Sequence, residues 1–146
     1  MLVKTAYSLL LLSVLLSSCV KNTPEYDRYY FTLDLVDSAQ LIQEYKQIHT
    51  PENMWPEIPK GIKEAGCNDM EIYLVHNRMF LIAEIVKGAD IDSVWTEMGK
   101  KDKQDQWAAF VRKFQQAIPK EDPTSSWILM EKVYDLDDYF PDTNID

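Results

Sequence analysis

The stretch EYKQIHTPENMWPEI, residues 44–58, holds the groups in this chain best suited to chemistry. Tyr45 and His49 stand four apart, one helical turn, so their side chains share a face. A phenol offers a hydrogen bond, and an imidazole with an unperturbed pKa of about 6.5 both takes and gives protons near neutral pH. Pro51 stops the helix just after His49, at a place where a loop shapes a cavity. Trp55 follows directly before Pro56, and Trp107 lies far along the chain on another apolar stripe. On residue type alone, an inward histidine is more often a satisfied core group than a proton carrier. A tryptophan on an apolar stripe is likewise more often core than ligand wall. Both alternatives stay open at this level.

Periodicity gives the elements that must position these groups. RYYFTLDLV (28–36) alternates, with Tyr29, Phe31, Leu33 and Leu35 on one face, and reads as a strand. Asp37, with Gln40 three residues on, is the expected cap of a helix whose stripe is Leu41, Ile42, Tyr45, Ile48 and His49. Pro56 opens a second helix with the stripe Trp55, Ile58, Ile62 and Ala65, closed by Gly66. DMEIYLV (69–75) and RMFLIAEIV (78–86) form a hairpin about His76-Asn77. A two-piece helical region follows, with Ile91, Val94, Trp95 and Met98 in one piece and Trp107, Phe110, Val111 and Phe114 in the other, stopped by Pro119. WILMEKVY (127–134) is the expected last strand.

The order is β-α-β-β-α-β, an α+β fold of the ferredoxin-like, split βαβ kind. It implies a four-stranded antiparallel sheet with helices on one face. Tyr30, Thr32, Met79 and Leu81 are expected on the other face. A second copy of the chain covering that face makes a homodimer of the dimeric α/β barrel type; a partly solvated face is the alternative.

The chain begins MLVKTAYSLLLLSVLLSSC, a short apolar run behind one lysine. This is a secretory leader, too short to span a bilayer comfortably. Leu16-Ser17-Ser18-Cys19 resembles a lipobox, so residues 1–18 read as a lipoprotein signal peptide. Residues 19–27 then form a lipidated Cys19 and its tether, 28–135 the folded domain, and 136–146 an acidic tail. A secreted protein without lipid and an uncleaved anchor are the alternatives. The expected location is the periplasmic or extracytoplasmic face of a membrane, reached through lipid. With Cys19 so used, Cys67 has no disulfide partner.

The net charge of -9 argues against nucleic acid, which calls for basic patches. Lys4 is the only charge in the leader, so cleavage makes the chain one unit more acidic. No Cys/His cluster has metal-ligand spacing and no Gly-rich phosphate loop occurs among the four glycines. Neither a metal nor a cofactor is expected.

Tyr-x-x-x-His, the following Trp-Pro-Glu, the EIYL strand followed by NRMF, and the Trp at the start of the last helix together resemble the L-rhamnose mutarotase family, over about Arg28 to Tyr134. RYYFTLDL, NRMF and WILMEKVY are closer to its L-fucose branch. The resemblance implies an isomerase that interconverts the α and β anomers of a 6-deoxy hexose, with a monosaccharide as substrate. It implies His49 as the proton-transfer residue, Tyr45 as a sugar contact, and Trp107 and Trp55 as walls of the sugar pocket. A second family tryptophan is replaced by Ala108, and a family tyrosine by Met70, which implies a reshaped pocket. The spacing from His49 to Trp55 is two residues longer than the family's, through the Glu52-Asn53 region. Two rivals remain: a cofactor-free enzyme or small-ligand binder of the same fold, and a carbohydrate-binding lipoprotein without activity.

Lipid attachment requires the Cys19 thiol. Cys19→Ser is expected to abolish labelling by a fatty-acid analogue and leave an uncleaved or soluble precursor; unchanged labelling contradicts the lipoprotein reading.

Overall fold

A computed structural model of the chain describes residues 25–140. The expected signal peptide, Cys19, the expected tether up to residue 24 and residues 141–146 of the expected acidic tail lie outside them. Strand β1, Tyr26–Leu35, starts two residues earlier than its alternation implied, because Tyr26 and Asp27 already pair with Val86 and Ile85. The other elements are α1 (Ala39–Ile48), α2 (Glu57–Glu64), β2 (Cys67–Val75), β3 (Arg78–Val86), α3 (Ile91–Gly99) and α4 (Gln104–Val111). A 3₁₀ turn at Arg112–Phe114 and two short strands, β4 (Gln115–Gln116) and β5 (Ile128–Leu129), complete the sheet.

The sheet is antiparallel in the order β2-β3-β1-β4, with β5 also paired to β1. Phe31, Leu33 and Leu35 of β1 and Met79, Leu81, Ala83 and Ile85 of β3 turn to one face and are buried. Against them pack Tyr45 of α1, Ile58 of α2, Trp107 and Val111 of α4, and Ile91 and Val94 of α3. This is the ferredoxin-like arrangement, with helices on one side of a split βαβ sheet.

Four local expectations are corrected. Met79 and Leu81 lie under the helices, because Leu33 faces Met79 and Phe31 faces Leu81 in the β1–β3 register. Phe80 and Ile82 take the opposite face beside Thr32 and Tyr30. The cap of α1 is Ser38, whose Oγ accepts from the Leu41 amide, and Gln40 instead donates to Glu44. The final helical piece ends in the turn at Phe114, well before Pro119.

The last strand is the fourth correction: only Ile128 and Leu129 of residues 127–134 are paired in β5, with one further amide bond from Met130 to the Tyr30 carbonyl. Continued pairing in that register would set Lys132 opposite Arg28, and facing like charges oppose a strand pair. Lys132 bonds Asp135, and Arg28 bonds Glu84. Trp127 packs inward against both halves of the core.

Two tie points fix the ends of the layers. At the β2–β3 turn, Asn77 exchanges bonds with Leu35 through its carbonyl and its side-chain amide, and Arg78 makes a two-pronged pair with the buried Asp34 at 2.8 and 3.0 Å. On the helical side, the buried Gln104 of α4 donates to the Ile58 carbonyl of α2 at 2.9 Å. Gly61 lets the two helices close: a Cβ there would lie 2.6 Å from Gln104 Nε2 and 2.8 Å from Lys101 Cβ. Gly61→Ala is therefore expected to cost about 2 kcal/mol of stability through overpacking. Chemical denaturation measures this; an unchanged midpoint contradicts the close approach.

Candidate functional site

Helix α1 hands over Tyr45 and His49 at its last turn. Tyr45 is buried; His49 is the C-cap, with φ -95 and ψ 3, and is half-buried at the edge of the core. Their rings lie 4.2 Å apart between centroids. His49 Nδ1 is 2.8 Å from the Tyr45 carbonyl oxygen. A carbonyl only accepts, so the neutral ring carries its proton on Nδ1 and leaves the Nε2 lone pair as the base. Burial pushes the His49 pKa below the ordinary histidine value, and the bond to Tyr45 opposes that shift in part. The side chain is therefore neutral at neutral pH.

Burial raises the Tyr45 phenol well above its ordinary range, so it keeps its proton; the side chain of Gln115 opposes that shift in part. Gln115, at the start of β4, is a neighbour that the sequence pattern did not single out. Its signal was weak: it follows the last apolar residue of a stripe, where a polar residue ordinarily marks a loop.

Both tryptophans reach the same place from distant elements. The Trp107 ring is 5.4 Å from His49, edge to face, and the Trp55 ring is 5.3 Å from Trp107. Trp55, Tyr45, His49 and Trp107 thus form one chain of ring contacts at the junction of α1, the 50–56 loop and α4. Trp107 is 8% exposed and serves the core at the same time. Phe110, one turn after Trp107, stacks on Trp55 at 5.7 Å and was read from sequence only as stripe. Lys113 places its ammonium over the rings of Phe110 and Phe114 at 4.8 and 4.5 Å.

The segment between His49 and Trp55 folds as a turn. Asn53 donates to the Gln47 carbonyl and to Thr50 Oγ1, and the Met54 amide bonds the Thr50 carbonyl. Beyond that turn Trp55 meets Trp107. Met70 packs against the Phe31–Cys67 part of the core and Ala108 is exposed, so neither joins the ring cluster. Among the described residues no three of His, Cys, Asp and Glu gather as a metal site. No helix there is long and apolar enough to cross a membrane. Cys19 lies outside the described residues.

Proteins of known sequence and structure share this pattern. Residues 28–136 match the model of the family described as L-rhamnose mutarotase. A UPF0734 protein of Dictyostelium discoideum is 35% identical over 121 residues, 77% of this chain and 92% of that protein. The L-fucose mutarotase of Xanthomonas campestris is 27% identical over 109 residues, 75% of this chain and 87% of that enzyme. The crystal structure of an L-rhamnose mutarotase from Formosa agariphila shares the fold, with a TM-score of 0.52 at 22% identity, covering 75% of this chain and 98% of that one. The extent of the family match and the order of its elements lead to one conclusion: this chain belongs to the L-rhamnose mutarotase family, a family of sugar mutarotases.

Proposed function

We propose that the protein interconverts the α and β anomers of a 6-deoxy hexose, L-fucose or L-rhamnose, with His49 as the proton-transfer group. One observation carries the reading: Nδ1 of His49 is committed to the Tyr45 carbonyl, which leaves Nε2 as a neutral base beside aromatic walls. Nε2 takes the proton of the anomeric hydroxyl, and the imidazolium so formed gives that proton to O5 as the C1–O5 bond breaks. The result is an open aldehyde. Rotation about C1–C2 followed by the reverse steps closes the other anomer, so the net event is one proton moved from O1 to O5 and back. Tyr45, kept protonated by burial, donates to a sugar hydroxyl. Trp107 and Trp55 offer rings to the C–H face and methyl group of a deoxysugar.

The same reading takes the lipid on Cys19 as the anchor of residues 28–135 at an extracytoplasmic membrane face. There the enzyme would supply one anomer to an importer or a sugar-cleaving enzyme. A homodimer joins through the face opposite the helices. On that face Tyr30 and Tyr73 are 41% and 54% exposed, beside Phe80 and Ile82. Residues 28–136 are expected to sediment as a dimer at micromolar concentration, and a monomer across that range removes the dimer from the reading.

His49→Asn keeps size and polarity but carries no proton between O1 and O5. Anomer exchange, read by saturation-transfer NMR, is expected to fall about 10²–10⁴-fold with little change in melting temperature. In the wild type, activity is lost on acidification below the ordinary histidine pKa of about 6.5, because the neutral ring begins the cycle and burial lowers its pKa. Stability contributed by the neutral ring is complete above that unfolded value and lost as pH falls towards the lowered folded one. Melting curves at each pH separate the two effects. Exchange by the variant at the wild-type rate, or failure only through unfolding, contradicts the role of His49.

A further inference from the structure

Beside the ring cluster lies a cleft of about 380 Å³, lined by Met54, Trp55, Pro56, Glu57, Lys103 and Gln106. This volume falls within the range of about 300–1,000 Å³ common for small-molecule sites. Met54, Trp55 and Pro56 make one wall apolar, whereas Glu57, Lys103 and Gln106 make the other polar. Trp55 belongs to both this cleft and the cluster, since its ring touches Trp107, which in turn touches His49. Trp55 is thus the wall that the cleft and the ring cluster around His49 have in common.

The polar wall is built from two elements. Lys103, directly before α4, pairs through its ammonium with the carboxylate of Glu57 in the first turn of α2. Its backbone is left-handed, at φ 58, which costs a residue with a Cβ and is found at ligand clamps and other functional positions. Lys103 holds Glu57 ionised, with its pKa below the usual carboxylate range. An acceptor carboxylate, a donor ammonium and the amide of Gln106 across from an indole match a sugar ring. The C–H face lies on the indole and neighbouring hydroxyls bond to the charged pair.

We propose that this cleft is a subsite for the second sugar of a reducing oligosaccharide whose reducing-end 6-deoxy hexose lies against His49. The inference rests on the mutarotase reading above and extends it. The chemistry limits the attachment: anomer exchange needs a free hydroxyl at C1, so the second sugar is joined through another hydroxyl of the deoxyhexose. A site closed around His49 would exclude such a substrate, but here the space beyond Trp55 is open to solvent.

The test compares a free 6-deoxy hexose with a reducing disaccharide that carries a hexose on O3 or O4 of the same deoxysugar. In the wild type, saturation-transfer NMR is expected to give a higher kcat/KM for the disaccharide. Lys103→Gly, which retains the left-handed backbone, and Gln106→Ala are each expected to raise KM for the disaccharide about tenfold, the worth of a charge-assisted or well-placed hydrogen bond. Exchange of the monosaccharide stays within about twofold, and melting curves confirm folding. An equal loss for both sugars overturns the proposal, since the cleft would then hold the reducing sugar itself. Equal use of both sugars by the wild type, unaffected by either variant, overturns it as well. If the wild type exchanges neither sugar, the mutarotase reading fails separately. Tryptophan fluorescence titration with the disaccharide then decides the cleft: quenching lost in Lys103→Gly supports it, and no quenching overturns it.

Discussion

The close approach of α2 to α4 is the constraint on which the site depends. At Gly61 there is no side chain to hold the helices apart, and Gln104 spends its amide on the Ile58 carbonyl across the gap. Trp55 stands just before α2 and Trp107 one turn into α4, so the same contact sets the distance between the two rings. The cleft partners Glu57 and Lys103 flank that contact as well. A buried amide bonded to a helix carbonyl is costly to leave unpaired, and its bond therefore specifies a single helix spacing. Aromatic walls and polar wall are two consequences of one packing decision.

Much of this was legible because it follows from periodicity. The parity of Phe31, Leu33 and Leu35, the hairpin at His76-Asn77, and the helical phases of Tyr45 and Trp107 are local properties, and each holds in the fold. His49 was readable as the inward residue at a helix end because Pro51 stops the chain there. What failed required knowledge of partners. The phase of β3 relative to the helices follows from its register with β1, and that register put Met79 and Leu81 inside. The strand expected at residues 127–134 has the right alternation, but an edge needs a tolerable opposite row, and Arg28 does not offer Lys132 one. Ser38 and Asp37 are both good caps, and the choice between them is a matter of one backbone angle.

The site was only partly readable for a related reason. Gln115 and Phe110 act through residues more than 60 and 50 positions away in sequence, respectively, and nothing in their own neighbourhoods marks them. The resemblance directed attention to Met70 and Ala108 as pocket residues. The fold puts Met70 in the other half of the core and Ala108 on the surface, while Asn53 ties the loop after α1 to Gln47 and Thr50. The NRMF motif also gains a structural meaning: Asn77 and Arg78 lock the hairpin to the end of β1, next to the strand end from which α1 departs.

In the proposed reaction a neutral His49, oriented by its own helix, exchanges the anomers of a 6-deoxy hexose. Saturation-transfer NMR on the wild-type protein with L-fucose, L-rhamnose and ordinary hexoses measures this directly, because irradiating one anomeric proton reports the rate at which the other is formed. Transfer between the anomers of a 6-deoxy sugar is expected far above the rate in buffer, and weaker transfer for hexoses that bear a hydroxyl at C6. Sugar binding with exchange no faster than in buffer would contradict it and leave a carbohydrate-binding protein built on a mutarotase fold.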